Sequence, residues 1–264
     1  MQTEWHTPIK RWTGIIAGVA VHMLFAVTVW YLFWFLKGTV QMTSQEYVWF
    51  DLALSLQFAI PHSLLLHPWT RKRVSHWIAA PFYGLFFCAV TCASLLLTIA
   101  CWKTSEATLW DLQGTSNTVV QIGFVLSWIA LFYSLYISGL GYQTGLTPWL
   151  EWVNHQSPAP RRFEEKSLYR WFRHPIYLSF LGLIWFTPKM TYDHAILTAV
   201  WTIYIFVGSW LKDRRLEFYA GEHYREYESR VPGYPLMTWG PLGLKRLLPM
   251  ELTSVRSPEH EVSR

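Results

Sequence analysis

Six apolar blocks separated by short polar stretches organise this chain. Residues 13–35, 48–66, 77–102 and 118–140 are each roughly 20 residues long and almost free of charge, enough to cross ~30 Å of hydrocarbon at about 1.5 Å per residue. The block at 176–187 is shorter. A polar break at 189–193 follows, and the pattern resumes over 194–211. These blocks predict an all-α integral membrane protein of about six transmembrane helices, the fifth short or re-entrant. The expected division is a transmembrane helical domain over 1–211, a tail over 212–253 and a flexible end over 254–264. The first block is too long for a cleaved signal peptide and lacks a small-x-small site after it. Residues 141–167, with Pro148, Pro158 and Pro160, read as a connection rather than a helix. In the tail, Leu216, Ala220, Tyr224, Tyr227 and Val231 recur at three- and four-residue steps, with Arg214, Arg215, Glu222, Arg225, Glu226, Glu228 and Ser229 opposite. That spacing predicts an amphipathic helix ended by Pro232-Gly233.

Composition changes this picture little. Of the 264 residues 52% are apolar and 18% aromatic, and the Trp and Tyr content suits a surface in contact with membrane lipids. The charge of +5 is placed by topology. With six spans, Lys10, Arg11, Arg71, Lys72, Arg73, Arg161, Arg162, Lys166, Arg170, Arg173 and the C-terminal cations share one side. Lys37, Lys103 and Lys189 take the other. The positive-inside rule then puts both termini in the cytoplasm. No basic stripe for nucleic acid is present. Cys88, Cys92 and Cys101 have no metal-ligand spacing and read as apolar packing residues, so no metal site is expected.

Polar residues at the ends of the blocks carry the candidate chemistry. Pro175 suits the first turn of a helix. Arg173 and His174 then stand beside that helix's free N–H groups, where an anion is welcome. Tyr177 lies one turn further in. The same residues could simply anchor the span at the interface. After the hairpin of the last two blocks, Asp213 returns to the side of Arg173. It could pair with Arg173, or hold a cationic group or a ribose diol. His62 lies about one helical turn inside the end of the second block. An ionisable residue at that depth is either a functional group or a histidine bonded to a neighbouring helix, assisted by Ser63. Gln57 is a weaker candidate, and His22 and His194 read as structural.

The stretch RHPIYLSF, followed by KDRRLEFYAGEHYREYESRVPGYP, resembles the isoprenylcysteine carboxyl methyltransferase type of membrane enzyme. That pattern is R-H-P-x-Y-x-G, E-E-x-x-L, a Gly five residues on, then Y-x-x-Y-x-x-x-V-P. Arg173, His174, Pro175 and Tyr177 match the first part; Leu216, Gly221, Tyr224, Tyr227, Val231 and Pro232 match the rest. Upstream, QFAIPHS is similar to a block of bacterial methanethiol S-methyltransferases and NnrU-like proteins. Ser179 stands in place of the Gly, Lys212 in place of the first Glu, Asp213 in place of the second, and Arg215 where the methanethiol group carries Asp.

The resemblance implies S-adenosyl-L-methionine as cofactor and a small or lipophilic thiol as acceptor, with methanethiol giving dimethyl sulfide. A bacterial inner membrane is the implied location. Arg173, His174, Pro175, Tyr177, Ser179, Asp213, Tyr224 and Tyr227 would line the cofactor, and His62 and Asp213 would be catalytic. Two alternatives stay open: a haem-binding NnrU-like protein or isomerase with His62 as axial ligand, and a nicotinamide-dependent membrane reductase.

Overall fold

The computed structural model describes residues 8–38, 48–158 and 164–245; the end predicted over 254–264 lies outside them. The long apolar blocks are helices: α1 (Pro8–Leu36), α2 (Val48–Leu66), α4 (Ala80–Cys101), α5 (Gly114–Ser138) and α9 (Tyr192–Ala220). Among the described residues five helices are long and apolar enough to span a membrane, and the protein is an all-α integral membrane protein. The fifth predicted span is α8 (Pro175–Trp185), 11 residues long, which reaches only ~16 Å and cannot cross alone. It is wedged against α5 and α9. By contrast α9 has 29 residues, roughly 44 Å, so it must emerge from the hydrocarbon at one end.

Inward-facing residues of these helices, among them Leu54, Trp128, Leu183, Leu197 and Trp201, form the core. Ile122, Leu126 and Ile129 of α5 point outward and stay exposed, as a lipid-facing stripe must. Cys88 and Cys92 are buried and unbridged.

One end of the bundle is closed by a two-stranded antiparallel ribbon of β1 (Thr108–Asp111) and β2 (Lys189–Thr191). Asp193 fastens the loop before it, accepting from the Trp102 indole at 2.9 Å and from the Ser105 backbone N–H at 3.0 Å. Asp51 accepts the Lys103 N–H at 3.1 Å. Both carboxylates lie in the first turn of their helices, α9 and α2, where the macrodipole favours an anion.

The opposite end holds the short helix α3 (Pro68–Val74) and two corrections to the sequence reading. First, the connection after α5 contains α6 (Leu140–Gln143) and α7 (Leu146–Val153). Pro148 falls in the first turn of α7, where no ladder bond is lost. Trp149 drives the docking: it is buried, and its indole N–H donates to the Gly14 carbonyl of α1 at 3.0 Å. Gly145 (φ +79°) crosses Gly84 of α4 so closely that a Cβ there would lie 2.4 Å from backbone. Second, the tail helix is not one rod. After Ala220 the chain turns at Gly221 (φ +55°), and α10 (Glu222–Arg230) starts anew. Leu216, Ala220, Tyr224, Tyr227 and Val231 still gather in one cluster across the break. Glu228, read as solvent-facing, is fully buried, because α10 folds back over α9 instead of lying beside it.

Candidate functional site

The basic end of the bundle carries two polar assemblies on different faces of α9. The first centres on Asp213. Arg173 donates to Asp213 Oδ2 through Nε at 3.1 Å and Nη2 at 2.9 Å. His174 Nε2 lies 3.1 Å from the same oxygen, and the Tyr224 hydroxyl donates to Oδ1 at 2.5 Å. Arg173 Nη1 donates to the carbonyls of Val231 (2.6 Å), Gly243 (3.1 Å) and Glu228 (3.4 Å). The backbone joins in: Arg173 N–H donates to Pro232 O and His174 N–H to Gly233 O. Arg173, His174, Asp213 and Tyr224 are thus brought together and closed off from solvent. Of the two readings of the Arg173/Asp213 geometry, direct pairing is what the structure contains. All three Arg173 nitrogens have partners inside the protein, so no edge is presented to an outside carboxylate.

The remaining predicted residues sit around this knot. Tyr227 is buried and donates to the Tyr169 carbonyl at 2.5 Å. Pro175 opens α8, and Ser179 donates back to the Pro175 carbonyl at 2.9 Å, a local bond that occupies its hydroxyl. Tyr177 meets His174 edge-on with ring centroids 5.6 Å apart, and its hydroxyl lies 3.5 Å from the Gly208 carbonyl. Burial pulls the His174 imidazole down to about 4, with the Asp213 bond opposing. The Tyr224 phenol is pushed up by burial and then by the Asp213 charge, so it stays a donor. Among the described residues the buried His174 Nδ1 has no hydrogen-bond partner.

The second assembly faces α2. His62 Nδ1 lies 2.6 Å from the Tyr204 hydroxyl, which Ser63 also bonds. The ring is packed by Phe58 and Phe87. Its other nitrogen, Nε2, has no hydrogen-bond partner among the described residues, and the side chain is only half-buried. In the tautomer whose Nδ1–H donates to Tyr204, the basic lone pair sits on Nε2. Pro61 takes the N–H out of the α2 ladder one residue earlier. Arg215 Nη1 donates to the Leu66 carbonyl at the end of α2 at 3.3 Å, and its charge reaches His62, Tyr177 and Tyr204. Lys212 Nζ donates to the Arg173 carbonyl at 3.2 Å and lies over the rings of Tyr169 (5.3 Å) and Tyr177 (5.8 Å). Tyr177 therefore borders both assemblies.

Sequence reasoning missed Tyr204 and Tyr234. For Tyr204 the signal was a phenol inside an apolar run, whose hydroxyl needs a partner; Tyr234, in the stretch Pro232-Gly233-Tyr234-Pro235, carries no such signal. Tyr234 bonds Ser209 at 2.6 Å and packs on His174. Gln57 accepts from Thr98. His22 and His194 bond backbone carbonyls of Gly18 and Ile184, as structural histidines do. Among the described residues no cluster of metal-ligating side chains occurs.

Residues 51–243 match the model of the family described as NnrU protein. The chain is 30% identical to methanethiol S-methyltransferase 1 of Bradyrhizobium diazoefficiens, covering 84% of this chain and 82% of that one. It is 27% identical to a methanethiol S-methyltransferase of Mycobacterium tuberculosis, covering 84% and 96%. It is also 25% identical to Nurim of Mus musculus, covering 67% and 70%. No solved structure matches the chain.

Proposed function

The chain belongs to the NnrU protein family, and from that premise we propose that it is a membrane methyltransferase acting on a small thiol, with S-adenosylmethionine as methyl donor. The names of the relatives support methyl transfer to methanethiol. The observation in this chain that carries the reading is His62. It is an imidazole inside a span, clasped at Nδ1 by Tyr204 and without a hydrogen-bond partner at Nε2 among the described residues.

The donor carries a carboxylate, an ammonium and a sulfonium, and the residues fit it at the border of the two assemblies. The orphaned His174 Nδ1 can take a polar atom, and the rings of Tyr177 and Tyr169, over which Lys212 lies, favour positive charge at this border. Arg173, Asp213, Tyr224 and Tyr227 build the frame that holds His174 and Tyr177 in place. Bound S-adenosylmethionine supplies an electrophilic methyl group on its positive sulfur.

The rest falls to side chains of this protein. A free thiol is mostly protonated near neutral pH, and only the thiolate attacks well. His62 Nε2 takes the thiol proton, and Tyr204 holds the ring in the tautomer that leaves Nε2 basic. The thiolate so formed would be held in line with the methyl group that a bound donor would supply, the donor's neutral thioether being the leaving group. Arg215, one helical turn from His62 along α2, stabilises the negative charge made in the first step. The membrane is the bacterial inner membrane, with the basic end and both termini in the cytoplasm, where the donor is available.

The test is incubation of the detergent-purified protein with methyl-labelled S-adenosylmethionine and a panel of thiols. Label in a volatile or small thioether is expected. Label transferred to no thiol, with the donor bound, sinks the reading.

A further inference from the structure

Two cations of α9 stand at the border of the two assemblies, and that reaction as read above needs only one of them. Lys212 and Arg215 are three residues apart on α9, so their side chains are neighbours on one helical face. Both border Tyr177, Lys212 over its ring and Arg215 within electrostatic reach. Arg215 is half-buried and uses one of its five N–H donors, on the Leu66 carbonyl. No carboxylate of the described residues lies within ion-pair distance of it. A partly desolvated guanidinium without an anion is costly to keep, and its planar fork matches a carboxylate. These are also the two positions where the chain exchanges the acids of the resembled pattern for bases.

We propose that Lys212 and Arg215 form the seat of an anionic group on the methyl acceptor, making the preferred substrate a short thiol that carries a carboxylate. The proposal rests on the thiol methyltransferase reading. Distances along α2 set the size of the substrate. His62, which receives the thiol proton, and Leu66, beside which Arg215 is anchored, are four residues apart, about 6 Å along a helix axis. A thiol and a carboxylate separated by two or three carbons span that gap. A neutral methyl thiol fills the proton-accepting end and leaves the Arg215 fork unmatched. A cationic thiol is repelled by both.

The experiment compares three acceptors of similar size with the purified full chain: mercaptopropionate, propanethiol and cysteamine. For the unaltered protein kcat/KM is expected to fall in that order, with mercaptopropionate ahead of propanethiol by about tenfold, the worth of one charge-assisted contact. In the double variant Lys212→Glu, Arg215→Asp the rate falls with every thiol, because Arg215 also stabilises the thiolate, and the preference between the two charged thiols reverses, while the KM for S-adenosylmethionine holds steady. The comparison within the unaltered protein needs no variant to fold. If that protein methylates propanethiol as well as mercaptopropionate, the anionic seat is overturned while thiol methylation stands. If the double variant raises the KM for S-adenosylmethionine equally with all three thiols, the cations hold the donor's carboxylate and the proposal also falls. Absence of methylation of any thiol overturns the function itself, and this inference with it.

Discussion

Asp213 is the residue on which the tail depends. One carboxylate accepts from a guanidinium, an imidazole and a phenol, all of them buried. Replacing it leaves a buried arginine charge uncompensated, a change that costs about 3–5 kcal/mol. Asp213→Ala is therefore expected to expose the stretch after α10 to limited proteolysis and to weaken donor binding through loss of the frame. Unchanged proteolysis and affinity would show that the knot does not hold the tail. His174 gives the same assembly a pH signature. Its pKa in the folded chain, about 4, is below the ordinary 6.5, so the unfolded chain binds a proton in that window that the folded one refuses. Stability is full above pH 6.5 and declines by up to about 3 kcal/mol as pH falls toward 4. Thermal unfolding in detergent should show this decline, reduced in His174→Gln. The nearness of Arg173, His174 and Asp213 was legible because a hairpin must return the chain to the side it left. Their saturation of one another was not, since it depends on carbonyls of Val231 and Gly243 that no side-chain pattern announces. Nor was Tyr204: its contact with His62 spans 142 positions and joins two helices whose rotation the sequence leaves open.

Among the elements, the long helices follow directly from length and apolarity, and α8 from Pro175 at one end and the shortness of its block. The pair α6–α7 does not. Glycines and a proline normally signal a loop, yet here they serve a helix pressed against the bundle, with Gly145 giving α4 its clearance. Trp149 is the anchor that turns this segment into structure. Trp149→Ala should cost about 3–5 kcal/mol, read as a lower melting temperature in detergent. An unchanged melting temperature would mean that α7 rests on the bundle without stabilising it. The tail shows the same limit of periodicity: the apolar face of 216–231 is real, but Gly221 splits the helix that carries it. The split turns α10 inward and buries Glu228, whose carboxylate faces Lys245 Nζ at 2.8 Å.

Across the whole molecule the two ends do different work. One is latched by Asp51, Asp193 and the β1–β2 ribbon. The other gathers the ends of α2, α8 and α9, and there the length of α9 carries Lys212, Asp213 and Arg215 beyond the hydrocarbon while Tyr204 stays within it. A donor arriving from water and a thiol arriving from water or lipid can meet at that border. In the proposed reaction methyl transfer depends on His62 removing a thiol proton, and the rate of labelled methyl transfer to propanethiol by unaltered protein and His62→Gln, followed from neutral to alkaline pH, tests this most directly. The variant should be slower by about 10²–10⁴ at neutral pH and should recover as pH approaches the thiol's own pKa and solvent supplies the thiolate. Equal rates of the two proteins at neutral pH would contradict the account.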